Sequence, residues 1–74
     1  MTKTLIKLHR PEDVKEFVQV AELCDFDIDV IYNKVIIDAK SFLGVLYLSH
    51  NPVYVASQGY NETLERICQK YAVR

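Results

Sequence analysis

The sequence lacks most of the features that mark a nucleic-acid-binding, membrane or secreted protein. Its nine basic and ten acidic residues give a net charge of −1, so the charge favours neither a nucleic acid nor an anionic membrane as a partner. No apolar run is long enough for a signal peptide or a membrane span. Repeats, low-complexity stretches and linkers are missing too, so residues 1–74 are expected to form a single small domain.

The cysteine spacing of a metal or redox centre is also missing. Cys24 and Cys68 form no C-x-x-C pair. Each lies on the apolar face of a predicted helix, which favours buried thiols in a reducing cytoplasm over a disulfide or a ligand role. The sequence therefore predicts a cytoplasmic domain that carries no cofactor.

Half of the residues are apolar, and their spacing predicts seven secondary-structure elements. Period-two alternation predicts four strands, within Thr4–Leu8, Asp25–Tyr32, Val35–Asp38 and Val53–Ala56. Helical spacing predicts a helix from Pro11 to about Leu23, a short one over Phe42–Leu48 and a last one after Asn61. The order β-α-β-β-α-β-α predicts an α/β (α+β) open-faced sandwich, a four-stranded antiparallel sheet with its helices on one face.

Turn and cap residues support these boundaries. Asn33 and Lys34 suit a tight turn, because asparagine tolerates a positive φ. Pro11 fits the first turn of a helix, where a missing N–H costs nothing. Ser41 and Asn61 are preferred N-caps, since their side-chain oxygens accept from an otherwise unpaired amide.

Part of the chain resembles a known family. The segment Lys40-Ser41-Phe42-Leu43-Gly44-Val45-Leu46-Tyr47-Leu48 is similar to the K-S-I-M-G-V-M-S-L segment of HPr, the histidine-containing phosphocarrier protein of the bacterial sugar phosphotransferase system. Lys40, Ser41, Gly44, Val45 and Leu48 are identities. The similarity runs without a gap from about Phe17 to Leu48, and more loosely to the C-terminus. It implies an open-faced sandwich in a bacterial cytoplasm, which is no enzyme and at most carries a phosphoryl group.

In HPr-like proteins the phosphoryl group is carried by the histidine of an H-A-R-P motif before the first helix. His9-Arg10-Pro11 is close to that motif, which makes His9 the candidate phosphoryl acceptor and Arg10 the candidate phosphate-binding residue. Alignment of Phe17-Val18-Gln19 with the family's L-V-Q, however, places the carrier histidine at about Arg10. The loop is several residues shorter, and Leu8 replaces a glycine. We therefore expect His9 to be a surface histidine at a strand end that accepts phosphate poorly; the alternative is a functional phosphocarrier that uses His9.

The short helix carries a second set of candidates. Ser41 matches the family's regulatory phosphorylation site, and Lys40 beside it offers a cation. Phe42, Leu43 and Leu46 match apolar positions that HPr-like proteins present to partner enzymes. The resemblance thus implies protein partners, namely phosphotransferase-system enzymes or a serine kinase, rather than a nucleic acid or a membrane. A further alternative is a purely structural interaction module that keeps only the HPr fold.

The remaining polar and apolar patterns indicate surfaces rather than catalytic sites. His50 has no second ligand at metal spacing, so no metal site is expected. Asp25, Asp27 and Asp29 are spread along one strand face and suit a solvated surface. An RNA-binding βαββαβ domain is disfavoured because the basic and aromatic strand signature is missing. Four apolar side chains are expected on the open face of the sheet, where they predict weak homodimerisation or cover by a partner: Leu5, Ile31, Ile36 and Tyr54.

Overall fold

The computed structural model describes residues 2–73, and its elements follow the predicted order. They are β1 (Thr2–Ile6), α1 (Pro11–Leu23), β2 (Ile28–Tyr32), β3 (Val35–Asp38), α2 (Phe42–Leu48), β4 (Val53–Ser57) and α3 (Glu62–Lys70). The β-α-β-β-α-β-α prediction is therefore confirmed.

The four strands form one antiparallel sheet in the order β1-β4-β2-β3. β4 is central and pairs with β1 on one side and β2 on the other. A hairpin joins β2 to β3 through Asn33 and Lys34, and Asn33 adopts the left-handed conformation (φ 52°) expected of it. The edges of the sheet are thus β1 and β3.

The helices cover one face of this sheet, as predicted. All three contribute to one hydrophobic core with the inward side chains of the strands, and α1 contacts both α2 and α3. The strand residues expected to point inward are buried, with Ile37 partly so: Ile6, Ile28, Val30, Val53 and Val55. Phe17 of α1 is fully buried in this core, which stabilises the packing of α1 on the sheet by about 1.5–3 kcal/mol.

Four predicted strand ends differ from the structure. β1 runs from Thr2 to Ile6 rather than from Thr4 to Leu8, because its pairing with β4 stops at Ile6 and Val53; β4 extends one residue further, to Ser57. The amide of Lys7 donates to the Tyr71 carbonyl at 2.9 Å on the side of β1 away from β4. Leu8 still points into the core, so the alternating pattern persists beyond the strand. β2 begins at Ile28 rather than near Asp25, because a bend carries the chain from α1 to the sheet.

Both predicted N-caps are confirmed. The Ser41 hydroxyl accepts from the Gly44 amide at 3.3 Å, and the side-chain oxygen Oδ1 of Asn61 accepts from the Leu64 amide at 3.0 Å. Gly44 also lets α2 approach β3 closely, since a Cβ there would lie 2.5 Å from Cγ2 of Ile37.

The two cysteines are buried free thiols, as predicted. Burial raises the pKa of Cys68 to about 11, so this thiol is protonated at neutral pH. Across residues 2–73, no helix has the length and hydropathy needed to cross a bilayer.

Candidate functional site

The loop that precedes α1 carries His9 and Arg10, and both are exposed. Arg10 is the extended N-cap residue of α1, and Pro11 is the first helical residue. The prediction that His9 lies at a strand end is wrong, because β1 stops at Ile6 and leaves His9 directly before the N-cap. His9 is therefore beside the helix N-terminus, the position that could favour an anion.

Asp13 already occupies this helix N-terminus. Its Oδ2 accepts from the backbone amides of His9 and Arg10, each at 3.2 Å. Its Oδ1 accepts from the Tyr71 hydroxyl at 3.1 Å and from Nη2 of Arg10 at 3.4 Å. The residue is 6% exposed. Amides that a bound phosphate would use are thus paired with a fixed carboxylate of the protein itself.

Two further amides of the first turn have partners, and one is missing. Pro11 has no amide hydrogen. The amides of Asp13 and Val14 both donate to the Arg10 carbonyl, at 2.9 and 3.2 Å. Of the described first-turn amides, that of Glu12 alone has no hydrogen-bond partner, so a phosphate near His9 would have to displace existing hydrogen bonds to gain any further backbone donor.

A hydrogen-bonded network of Asp13, Glu16 and Tyr71 lies at the corner where the first turns of α1 meet the end of α3. Burial alone would raise the pKa of Asp13, but the hydrogen bonds from His9, Tyr71 and Arg10 outweigh it and hold that pKa below its ordinary value. The hydroxyl of Tyr71, 2.7 Å from Glu16, and the ammonium of Lys70 lower the pKa of Glu16. Desolvation, reinforced by the two carboxylate acceptors, raises the pKa of Tyr71. Both carboxylates are consequently charged at neutral pH.

The charge balance of the corner is negative. Three carboxylates, those of Glu12, Asp13 and Glu16, face the two cations of Arg10 and Lys70. Nε of Arg10 lies 3.9 Å from Glu12, and Nη2 lies 3.4 Å from Asp13. Nζ of Lys70 lies 3.1 Å from Glu16. The guanidinium expected to bind phosphate is therefore already paired with carboxylates.

The second candidate site lies at the start of α2. Ser41 is exposed, and the first turn that follows it, Phe42 to Gly44, is uncharged. Lys40, the residue expected to offer Ser41 a cation, has an ammonium that donates to the Cys24 carbonyl at 2.9 Å. Lys40 thereby caps the C-terminal end of α1 and joins it to the β3–α2 turn.

Apolar side chains of α2 form an exposed surface, here called the α2 surface and made of Phe42, Leu43, Leu46 and Tyr47. Leu43 is 76% exposed, Tyr47 74% and Phe42 37%, whereas Leu46 is half-buried against the core. Phe42 also lines a groove with side chains of α1: Lys15, Val18, Gln19 and Glu22. Of the predicted docking residues, Leu46 thus has mainly a packing role.

Tyr47 was missed at the sequence level, although a signal for it exists. The helix sequence FLGVLYL has no polar face, so a helix that packs on one side must expose apolar side chains on the other. Val45 and Leu48 take the buried side, which leaves Leu43 and Tyr47, four residues apart, together in solvent.

The other sequence candidates lie apart from these two sites. His50 is exposed directly after α2, and Asp25 and Asp27 are exposed before β2. Residues 2–73 contain no group of three or more His, Cys, Asp or Glu side chains placed to hold a metal ion. The four predicted open-face residues lie in one row across the sheet: Leu5, Tyr54, Ile31 and Ile36.

Neither protein-family models nor curated proteins match this chain in sequence comparison.

Proposed function

We propose that this chain is an HPr-like interaction domain of the bacterial phosphotransferase system or its regulation, which acts by binding protein partners rather than by catalysis of its own. The observation that carries the proposal is the α2 surface. Leu43 and Tyr47 are each about three-quarters exposed within the segment that resembles the family's partner-binding helix.

The chemistry of the α2 surface suits a protein partner. Adjacent large apolar side chains in solvent mark interaction sites, because an isolated soluble domain gains nothing by exposing them. Tyr47 provides an aromatic ring of the kind that often anchors an interface. The groove beside Phe42, bordered by Lys15 and Glu22, adds a polar rim of both signs.

Ser41 is proposed as a regulatory phosphorylation site for a serine kinase. Its hydroxyl is exposed at the edge of the α2 surface, and the following turn is uncharged. A phosphate there would add about −1.5 to −2 charges beside Phe42 and Leu43. Burial of that charge under a partner would be costly, so phosphorylation would weaken docking.

A functional phosphocarrier that uses His9 is the second candidate. It is favoured by one observation, the position of His9 directly before the N-cap with Arg10 beside it. The carboxylates around Asp13 count against it. A module that keeps only the fold, with no phosphotransferase partner, is the remaining alternative.

One experiment separates the three candidates. The chain is incubated with phosphoenolpyruvate and the general phosphoryl-donor enzyme of the system, and its intact mass is measured; binding to that enzyme is titrated in parallel. The proposal expects binding without an acid-labile phosphoryl group. A phosphoryl group on His9 would support the phosphocarrier. If the chain does not bind the donor enzyme, the module that keeps only the fold is the remaining candidate.

A matched pair of variants tests whether the α2 surface is responsible. Leu43→Lys should weaken the complex by about tenfold or more, as loss of an interface anchor does. Tyr60→Lys is the control, because Tyr60 is also 76% exposed but precedes α3 and is not part of α2. Equal affinities for the two variants would contradict docking through α2.

A further inference from the structure

The sheet face away from the helices carries a continuous apolar row. Backbone pairing places Leu5 opposite Tyr54 and Tyr54 opposite Ile31, and the next pair joins Ile31 to Ile36. Since the strand order is β1-β4-β2-β3, these side chains run from one edge of the sheet to the other. Ile36 is 63% exposed and Tyr54 49%, while Leu5 and Ile31 are half-buried.

A second row lies beside the first, and its charges are separated by sign. Lys3 pairs with Ala56, Ala56 with Asp29, and Asp29 with Asp38. The positive charge is thus at the β1 edge, and the negative charges lie on β2 and β3. Among the described residues, Lys3, Asp29 and Asp38 take part in no ion pair.

These two rows are complementary to themselves under one particular symmetry. The two-fold axis lies between the two stacked sheets, runs parallel to the strands and passes between β4 and β2. Rotation about it places β1 over β3 of the second copy and β4 over β2. Each row keeps its position along the strands, which is here called its height. Lys3 then faces Asp38 of the second copy. In the apolar row, Tyr54 faces Ile31 of the second copy, and Leu5 faces Ile36.

The other in-plane two-fold axis crosses the strands along the apolar row. It keeps the strand order and inverts the height, so Lys3 would face Lys7, which follows β1 and whose ammonium donates to the Ser49 carbonyl at 2.9 Å. Asp38 would face Lys34 of the β2–β3 turn, a pair of opposite charges. Only the axis that runs along the strands places Lys3 opposite Asp38, so a charge exchange at these two positions distinguishes the two axes.

From this pattern we infer that the open face binds a second copy of the same chain in a weak two-fold symmetric dimer. Stacked sheets lie about 10 Å apart, a gap that facing side chains fill by interdigitation. The apolar row forms the centre of the contact, and the two Lys3–Asp38 pairs lie at its edges. The α2 surface is in the helix layer on the opposite side, so the inference does not depend on the proposed function.

The size of the face limits the strength of the dimer. Four strands about 4.8 Å apart and about five residues long present a footprint of about 300 Å². Two such faces contribute about 600 Å², well below the roughly 1,200–2,000 Å² of stable, specific interfaces. A dissociation constant of about 0.1–1 mM is therefore expected.

Sedimentation equilibrium over about 10 μM to 1 mM tests the association. The wild-type chain should shift from monomer to dimer across this range, and Ile36→Lys should remain monomeric with unchanged melting. Val35→Lys is the matched control, because Val35 is an exposed neighbour on the same edge strand that points to the other face. A wild-type monomer at the highest concentration would overturn the inference and leave a different protein as the occupant of this face.

A charge exchange tests the two-fold arrangement itself. Lys3→Glu and Asp38→Lys should each weaken self-association by about tenfold, because both edge pairs become repulsive. An equimolar mixture of the two variants should dimerise again, since each facing pair then carries opposite charges. If both variants are monomeric and the mixture is too, the proposed arrangement is overturned.

Asp38→Lys also loses the turn hydrogen bond that the Lys40 amide donates to the Asp38 carboxylate. The salt dependence of self-association is a test that does not need this variant. Added salt should weaken the wild-type dimer by screening attraction and strengthen the Lys3→Glu dimer by screening repulsion. The same response in both proteins would contradict a Lys3–Asp38 contact.

Discussion

The helices α1 and α2 begin in opposite electrostatic surroundings. At α1, the buried Asp13 carboxylate reaches back to the amides of His9 and Arg10. At α2, the neutral hydroxyl of Ser41 accepts from Gly44, and the first turn is uncharged. Both arrangements satisfy amides that a helix start leaves unpaired, but only the first adds a negative charge.

This difference shows that a helix N-terminus is not by itself an anion site. The dipole and the free amides favour an anion only where no fixed carboxylate has already taken that position. At α1 a second anion would meet Asp13, Glu12 and Glu16 within the same corner. The two phosphate positions implied by the HPr resemblance are therefore not equivalent, and the one at Ser41 is the more open.

Of the substitutions that test this contrast, removal of Asp13 should lower the melting temperature most. Asp13→Ala leaves the amides of His9 and Arg10 without their acceptor and leaves the Tyr71 hydroxyl with Glu16 as its remaining acceptor. Loss of several charge-assisted hydrogen bonds at a buried carboxylate should lower Tm by roughly 10 °C. Thermal unfolding followed by circular dichroism at neutral pH measures this.

The matched control is Glu12→Ala in the same helical turn. The Glu12 side chain is 73% exposed, and its closest ion pair is the 3.9 Å approach to Arg10. Its removal should change Tm by about 2 °C or less. Equal losses in both variants would mean that the network around Asp13 does not stabilise the helix start.

The pH dependence of stability should report the same network. The pKa values of Asp13 and Glu16 are depressed, so their contribution is present above their ordinary pKa values of 3.8 and 4.5 and is lost as pH falls further. The pKa of Tyr71 is raised, so its contribution is present below the ordinary value of 10.0 and is lost at higher pH. Stability should thus decline at both ends of the pH range.

Tyr71→Phe separates this network from the general effects of acid and alkali. It should lower Tm by about 6 °C at neutral pH and weaken both declines, since its hydroxyl serves both carboxylates. Tyr60→Phe, at an exposed tyrosine, should leave the pH profile unchanged. Profiles of Tm against pH that coincide for Tyr71→Phe and wild type would contradict the assignment.

The sequence predicted the helix starts at Pro11 and Ser41 because local rules decide them, namely proline at the first turn and a hydroxyl N-cap. It did not predict the role of Tyr71, since that contact joins residues 58 positions apart and depends on how α3 packs on α1. The contact of Lys40 was not predicted for a similar reason: its carbonyl partner, Cys24, is distant in sequence. The alternation of Leu5, Ile31, Ile36 and Tyr54 did predict a shared face, because strand periodicity fixes the side that each side chain takes.

Substitutions at Ser41 should have a smaller effect on stability, and Ser41→Asp should act mainly on partner binding. Ser41→Ala removes the cap and should cost about 1 kcal/mol of stability. Ser41→Asp keeps an acceptor at the cap but adds a charge beside Phe42 and Leu43, so it should weaken partner binding while Tm stays near wild type. Ser41→Asn, a neutral cap of the same size, is the control and should retain binding. Binding titrations and melting curves for the three variants check this, and equal affinities throughout would make this helix start purely structural.

His9 should show the smallest effect of all. Its side chain is exposed, and its structural hydrogen bond to Asp13 uses the backbone amide, which His9→Ala retains. The substitution should therefore change stability by less than about 0.5 kcal/mol.

In the phosphoryl-transfer assay, wild type and His9→Ala should both lack an acid-labile phosphoryl group. A phosphate on His9 would face three carboxylates, and the guanidinium of Arg10 is already paired with Asp13 and Glu12. Asp13→Asn, which removes the nearest of these charges, sharpens the test: a small gain of phosphoryl group in that variant alone would identify the carboxylate as the block. A stoichiometric, acid-labile phosphoryl group on the wild-type chain that disappears in His9→Ala would show that the corner around α1 can hold a second anion, and the contrast between the two helix starts would fail.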